Sequence, residues 1–179
     1  MTTPGDEITT AVEERRPAVR WSRDRDELGR TAAAEIAGTM IGLLERQSEV
    51  RIIFACAPSQ ATTLAALAAE PGIDWSRVVA FHMDEYLGLS PDAPQLFSRW
   101  LKQVLLDHVP VGKAHLIVPG DNPADDCRAY GELLAGAPID IACLGIGVNG
   151  HIAFNDPPAD FSDPVAVKVV ELSLESRRQ

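Results

Sequence analysis

The sequence predicts a doubly wound α/β domain, a mostly parallel sheet with helices on both faces, and three observations predict it. Apolar runs of strand length alternate with longer segments of helical periodicity. Several runs, "RIIFACA" and "RVVAFHM" among them, are continuously apolar instead of alternating, as strands covered on both faces are. Turn-forming, polar residues follow the runs at 57–63, 83–89 and 145–158.

Taken in order, residues 1–16 are polar, acidic and Thr-rich and are expected to form a disordered tail, leaving 17–179 as a single α/β domain. "AVRWS" reads as a short strand. Ser22 or Asp24 can cap a helix whose core stripe is Leu28, Ala32, Ile36, Met40 and Leu44. "RIIFACA" is a strand, "PSQATT" its loop and "LAALAAE" a helix. "RVVAFHM" is the next strand, and Phe97, Trp100, Leu101, Val104 and Leu105 mark one face of a helix over 94–108. "AHLIV" gives a short strand, "PADDCRAYGELLA" a helix with an acidic first turn, and "IDIACLGIG" a buried strand. "VAVKVVELSLESRRQ" reads as one strand and the opening of a further helix.

Composition narrows the function. The 179 residues suit one ordinary domain, and 46% hydrophobic with 23% charged residues is a globular balance. A net charge of −10 without any Lys/Arg stripe argues against nucleic acid and for a small-molecule partner. The longest apolar runs fall short of a membrane span, and the N-terminal stretch lacks an apolar signal core, so the expectation is a cytoplasmic protein that does not engage a membrane. Cys56, Cys127 and Cys143 are odd in number and lack metal-site spacing, so buried thiols are expected in place of disulfides or zinc; no metal and no cofactor is expected.

In a doubly wound sheet ligands bind beyond the carboxyl ends of the strands, so the three polar loops should converge. In the first, Ser59, Gln60 and Thr62 stand at a helix start, where free N–H groups and hydroxyls suit a phosphate; the alternative is that Ser59 only caps the helix. In the second, "MDEYLGL", two acids end an apolar strand. A carboxylate desolvated there can act as a general base, and Asp84 is the candidate. Neighbours on an extended chain point opposite ways, which leaves Glu85 to hold loop backbone or a helix end; the alternative for the pair is a solvated loop. In the third, "GIGVNGHIAFNDPP", the Asn149-Gly150 pair suits a hairpin turn, with His151 incidental. Against that stand Gly145 and Gly147, which a hairpin does not need, and Asp156, near enough to orient an imidazole.

"FHMDEYLGL" together with "LGIGVNGHIAFNDPP" resembles the glucosamine-6-phosphate deaminase/isomerase family, in the group shared with 6-phosphogluconolactonase, and within it a branch carrying "NGH". The resemblance runs from about residue 18 to the end. It implies a Rossmann-like fold and conversion of glucosamine 6-phosphate and water to fructose 6-phosphate and ammonia. Tyr86 and "HIAFNDPP" follow the deaminase pattern; lactonases carry an arginine after the acid pair and a "DGHTASLFP"-like segment.

By this resemblance Asp84 is the base that moves a proton between C2 and C1, and His151 opens the pyranose ring. Asp156, at a position usually glutamate, orients His151. Asn149 stands where well-known deaminases have aspartate, and an amide cannot carry the charge that supports an imidazolium. Ser59, Gln60 and Thr62 fall in the phosphate loop, although its usual glycines are replaced around Cys56-Ala57-Pro58. Glu85, Gly147 and Gly150 complete the expected substrate-binding set. Family members are longer, so a missing C-terminal part is expected, with Arg177 and Arg178 the first basic groups of a lid; an uncovered sheet edge would also allow a homo-oligomer. The alternatives are a sugar-phosphate-binding protein without turnover and a lactonase-like hydrolase.

Overall fold

The computed structural model describes residues 18–160 and 162–178. The expected tail over 1–16 lies outside the described residues.

Four strands form one all-parallel sheet: β1 (Val50–Phe54), β2 (Val78–His82), β3 (Lys113–His115) and β4 (Ile141–Cys143), in the order β3-β2-β1-β4. Four helices connect or flank them: α1 (Arg25–Leu44), α2 (Ala61–Ala69), α3 (Phe97–Leu101, continued by a π-helical turn over Lys102–Leu106) and α4 (Pro123–Ala135). The chain steps outward from β1 to β2 to β3, then returns past β1 to lay down β4. Because crossovers are right-handed, reversing direction puts the next helix on the opposite face.

The core follows that rule. On one face Ile52, Phe54, Val78 and Ala80 pack with Ala33, Met40, Leu64, Leu67, Leu101 and Leu105 from α1, α2 and α3. On the other, Val79 and Phe81 pack with Tyr130 of α4 and with Ile53 and Leu134. Alternate residues of β1 and β2 thus serve opposite layers, which is why both strands are apolar apart from Arg51 and His82. Sheet residues register closely, with Val50 opposite Val78 and Ile52 opposite Ile141.

Helix starts obey local chemistry. The Asp24 carboxylate accepts from the Glu27 N–H at 2.8 Å, and the Asn122 side chain accepts from the Ala124 N–H. Two arginines close helix ends from a distance. Buried Arg51 donates to the carbonyls of Leu133 and Leu134, and Arg77 donates to those of Leu44, Gln47 and Ser48.

Several expectations need correction. Among the described residues "AVRWS" pairs with no strand, and Trp21 is 93% exposed. In α1 the buried stripe is Gly29, Ala33, Ala37, Met40 and Leu44, and Leu28 is exposed. Strict i, i+4 steps advance 400° and drift around the helix; an i+3 step between Ala37 and Met40 keeps the real stripe on one line. The small residues are also what lets α2 approach, since a Cβ on Gly29 would lie 3.0 Å from the Thr62 Cβ. The strand expected over 139–147 is confined to Ile141–Cys143 and is an edge strand with Leu144 half-exposed. Of "AHLIV" only Ala114 and His115 pair, in a strand that starts at Lys113, and helix α3 begins at Phe97, not at 94. "VAVKVV" makes no strand: Val165 and Val169 are exposed, and of the helix expected after it only a 3-10 turn over Ser176–Arg178 forms. Of the three thiols Cys56 is buried, while Cys127 and Cys143 are half-buried.

Candidate active site

The switch in strand order falls between β1 and β4, and a cavity of about 800 Å³ opens there, beyond their carboxyl ends. The three polar loops meet in it. Ser59 comes from the β1 loop, Asp84 and Tyr86 from the β2 loop, and Gly145, Gly147, His151 and Asp156 from the β4 loop. Phe97 and Trp100 of α3, with Leu89 and Pro94, add an apolar wall.

Asp84 sits two residues past the end of β2, where burial and the like charge of Glu85 push its carboxyl up to about 6. Its neighbour faces elsewhere. Both Glu85 oxygens take main-chain N–H groups, Oε1 from Tyr86 and Phe97 and Oε2 from Ser98, so Glu85 ties the loop to the first turn of α3. Glu85 does not line this cavity.

The β4 loop is built around an imidazole. Gly147 N–H donates to the His151 carbonyl at 2.9 Å and Gly150 N–H to the Gly147 carbonyl at 3.0 Å. Gly150 takes φ +87°, the left-handed conformation this turn requires. Gly147 serves another need: a Cβ there would come within 2.1 Å of the His151 ring. His151 Nδ1 lies 2.7 Å from Asn149 Oδ1, and Asn149 Nδ2 donates to Asp156 Oδ1 at 2.8 Å. The amide therefore stands between imidazole and carboxylate, accepting from one and donating to the other, and the direct His151–Asp156 separation is 3.5 Å. With Nδ1–H donated to Asn149, Nε2 carries the free lone pair. Asp156 in turn accepts from the Ser176 hydroxyl and the Ser173 N–H, and these bonds with that from Asn149 hold its carboxyl well below the usual range.

Two loops are clamped together by aromatic rings. Phe154 lies 5.2 Å from Tyr86 and 5.7 Å from Phe97, and Tyr86 lies 5.0 Å from Phe97, centroid to centroid. The segment bearing His151 is thereby fixed against the segment bearing Asp84.

At the start of α2 a 3-10 turn over Pro58–Gln60 precedes the helix, and no side chain caps it. Ser59 is exposed to the cavity rather than spent as a cap. Gln60 lies against Gly145, its Nε2 3.3 Å from where a Cβ would stand. Thr62, on the α1-facing side of α2, packs on Gly29 of α1 and does not line the cavity. Sequence reasoning missed Ser173 and Ser176, because coil contacts 17 and 20 residues from Asp156 leave no periodic signal. It also missed the cavity lining by Cys56, whose thiol is pushed up by burial and the Asp84 and Glu85 charges. Among the described residues no group of three potential metal ligands converges.

A parallel α/β sheet with a carboxylate and an imidazole facing one cavity at its switch point defines a Rossmann-like protein equipped for acid–base chemistry on a small molecule. The profile of the glucosamine-6-phosphate isomerases/6-phosphogluconolactonase family matches residues 23–170, and the chain belongs to that family. It is 44% identical over 105 residues to glucosamine-6-phosphate deaminase 2 of Bacillus subtilis (strain 168), covering 56% of this chain and 41% of that one. It is 41% identical over 121 residues to the glucosamine-6-phosphate deaminase of Shouchella clausii (strain KSM-K16), covering 65% and 48%. The chain thus spans less than half the length of these two relatives. Among solved structures, a monomeric glucosamine-6-phosphate deaminase superposes with TM-score 0.78 at 25% identity, over 88% of this chain and 66% of that one. The 6-phosphogluconolactonase of Trypanosoma brucei shares the fold, with TM-score 0.70 at 19% identity over 87% and 69%.

Proposed function

We propose that this chain carries the site of an amino-sugar-phosphate isomerase/deaminase, converting glucosamine 6-phosphate and water to fructose 6-phosphate and ammonia in the cytoplasm. The observation that carries the reading is that Asp84 and His151 line one cavity, the first with its carboxyl raised to about 6 and the second with Nε2 unengaged.

The chemistry assigns each a proton. His151 takes the proton of the O1 hydroxyl at Nε2 and a proton is returned to the ring oxygen, so the C1–O5 bond breaks and the aldehyde forms. Asp84 removes the C2 proton, the C2 electron pair moves toward C1, and the former carbonyl oxygen is protonated, giving an enolamine. Return of the proton from Asp84 to C1 leaves an imine at C2. Water adds there, and ammonia departs as the ketone forms. Every step is a proton transfer or an addition–elimination on the sugar, and none calls on a cofactor. Asn149 and Asp156 keep the His151 ring oriented, and Ser59 at the start of α2 receives the phosphate.

The test is release of fructose 6-phosphate and ammonia from glucosamine 6-phosphate, beside the D84N variant and with a 6-phosphogluconolactone arm. Product lost in D84N supports the reading. A folded wild type that binds fructose 6-phosphate without turning over glucosamine 6-phosphate, or that opens the lactone instead, overturns it.

A further inference from the structure

His82 is the last residue of β2, two positions before Asp84, and the proton transfers above make no use of it. Its side chain is fully buried. The main chain on either side is pinned by one phenol: the Tyr130 hydroxyl accepts from the His82 N–H at 3.1 Å and lies 2.9 Å from the His82 carbonyl and 3.1 Å from that of His115. The ring has a single well-formed bond, in which Nε2 accepts from the Ile117 N–H at 2.8 Å. An Nε2 that accepts leaves the proton on Nδ1. That Nδ1 is buried and has no hydrogen-bond partner among the described residues, and the Asp84 main chain interacts with the ring. Burial lowers the imidazole to about 4, so the ring is neutral wherever Asp84 is ionised.

A neutral donor directly under a general base is a specific device. A cation at that depth would pair with the Asp84 carboxylate and weaken it as a base, whereas an apolar side chain would leave the loop main chain without a donor to direct it.

We propose that His82 is a positioning residue for Asp84: anchored at Nε2 by the Ile117 N–H, its neutral imidazole presents Nδ1–H to the Asp84 main chain and so fixes the direction of the Asp84 carboxylate in the cavity. The inference rests on the reading of Asp84 as the base. The titratable groups around the pair are Glu85 and Tyr86 of the same loop, Cys56 beyond β1, Tyr130 of α4, His115 of β3 and, in the β4 loop, His151 and Asp156.

Two substitutions separate positioning from packing. H82Q keeps a polar atom where Nε2 was, able to accept from Ile117, and removes the donor at the Nδ1 position; H82N keeps a donor near Nδ1 and gives up the Ile117 bond. A packing role makes H82Q the milder change. Positioning through Nδ1 makes it the more severe, with kcat lowered about 30-fold and KM within about threefold, while H82N stays within about fivefold of wild type. The second readout needs no turnover: the ¹³C-detected titration of the Asp84 carboxyl should move about one unit toward ordinary carboxylates in H82Q and stay in place in H82N. The third needs no variant, because ¹⁵N shifts of His82 in the wild type should report a protonated Nδ1 and a bare Nε2. The opposite tautomer overturns the inference, as does an H82Q protein that matches wild type in kcat and in the Asp84 titration. If wild type shows no turnover the deaminase reading falls by itself, and the Asp84 titration and the tautomer still decide the role of His82.

Discussion

Asp84 carries opposed consequences for activity and stability. A base raised to about 6 must be ionised to work, so kcat/KM for glucosamine 6-phosphate should fall about tenfold for each pH unit below 6. The folded state also holds that proton more tightly than the unfolded chain, whose aspartate titrates near 4. The contribution of Asp84 to stability is therefore fully present below about pH 4 and lost as the pH rises through 6. D84N should lose turnover by 10²- to 10⁴-fold yet unfold with on the order of 2 kcal/mol more stability than wild type at pH 7.5, the gap closing at pH 4. Urea melts at the two pH values check it. Gly147 offers the complementary case. The His151 ring occupies the space a methyl would need, so G147A should fold, bind fructose 6-phosphate and lose roughly 100-fold in kcat through a displaced imidazole. An unchanged kcat would show that the ring position does not matter. The functional types, an acid at a strand end and an imidazole among glycines, were legible at this scale because they break the apolar pattern around them. The side of α2 that Thr62 takes was not, since facing α1 or facing the cavity depends on the rotation of a nine-residue helix whose only large side chains are Leu64 and Leu67.

At the scale of elements, the strands buried on both faces were legible and the edge ones less so. β1 and β2 are apolar at every position but Arg51 and His82 because their residues meet a helix layer on each face, and their sequences say so. Residues 165–170 are similarly apolar but pair with no strand among the described residues, and "AVRWS" likewise; apolar patterning reports what a segment could bury, not whether it is paired. The reach of Glu85 was partly legible, because two adjacent acids cannot both face the cavity. Its three main-chain bonds fasten α3, and hence Phe97 and the aromatic clamp on Phe154, to the loop of Asp84. E85A strands those N–H groups and should cost about 2 kcal/mol in urea unfolding. E85Q can still accept at one oxygen and should cost roughly half as much. A loss confined to kcat, with unfolding unchanged, would contradict the tie to α3.

For the whole molecule the decisive quantity is charge. The chain carries a formal −10, and the residues lining the cavity among those described include Asp84 and Asp156 but no lysine or arginine. On the proposed reading, an amino-sugar phosphate brings a dianionic phosphate group toward an acidic cavity, to be held at close range by the Ser59 hydroxyl, whose dipole acts over a few ångströms. The long-range term is then repulsive and the short-range term attractive, and salt screens mainly the first. The Debye length shrinks from about 30 Å at 0.01 M to about 8 Å at 0.15 M, roughly from the width of the domain to the width of the cavity. Raising sodium chloride over that range should lower KM for glucosamine 6-phosphate about threefold while leaving kcat alone, the reverse of a phosphate site built on lysine and arginine. S59A should raise KM at every salt concentration without altering that slope, because it removes a neutral contact. A KM that climbs with salt would place a cationic side chain in the phosphate site, and Arg177, drawn at present to Glu171 at 2.6 Å, is the first to substitute with glutamine in search of it.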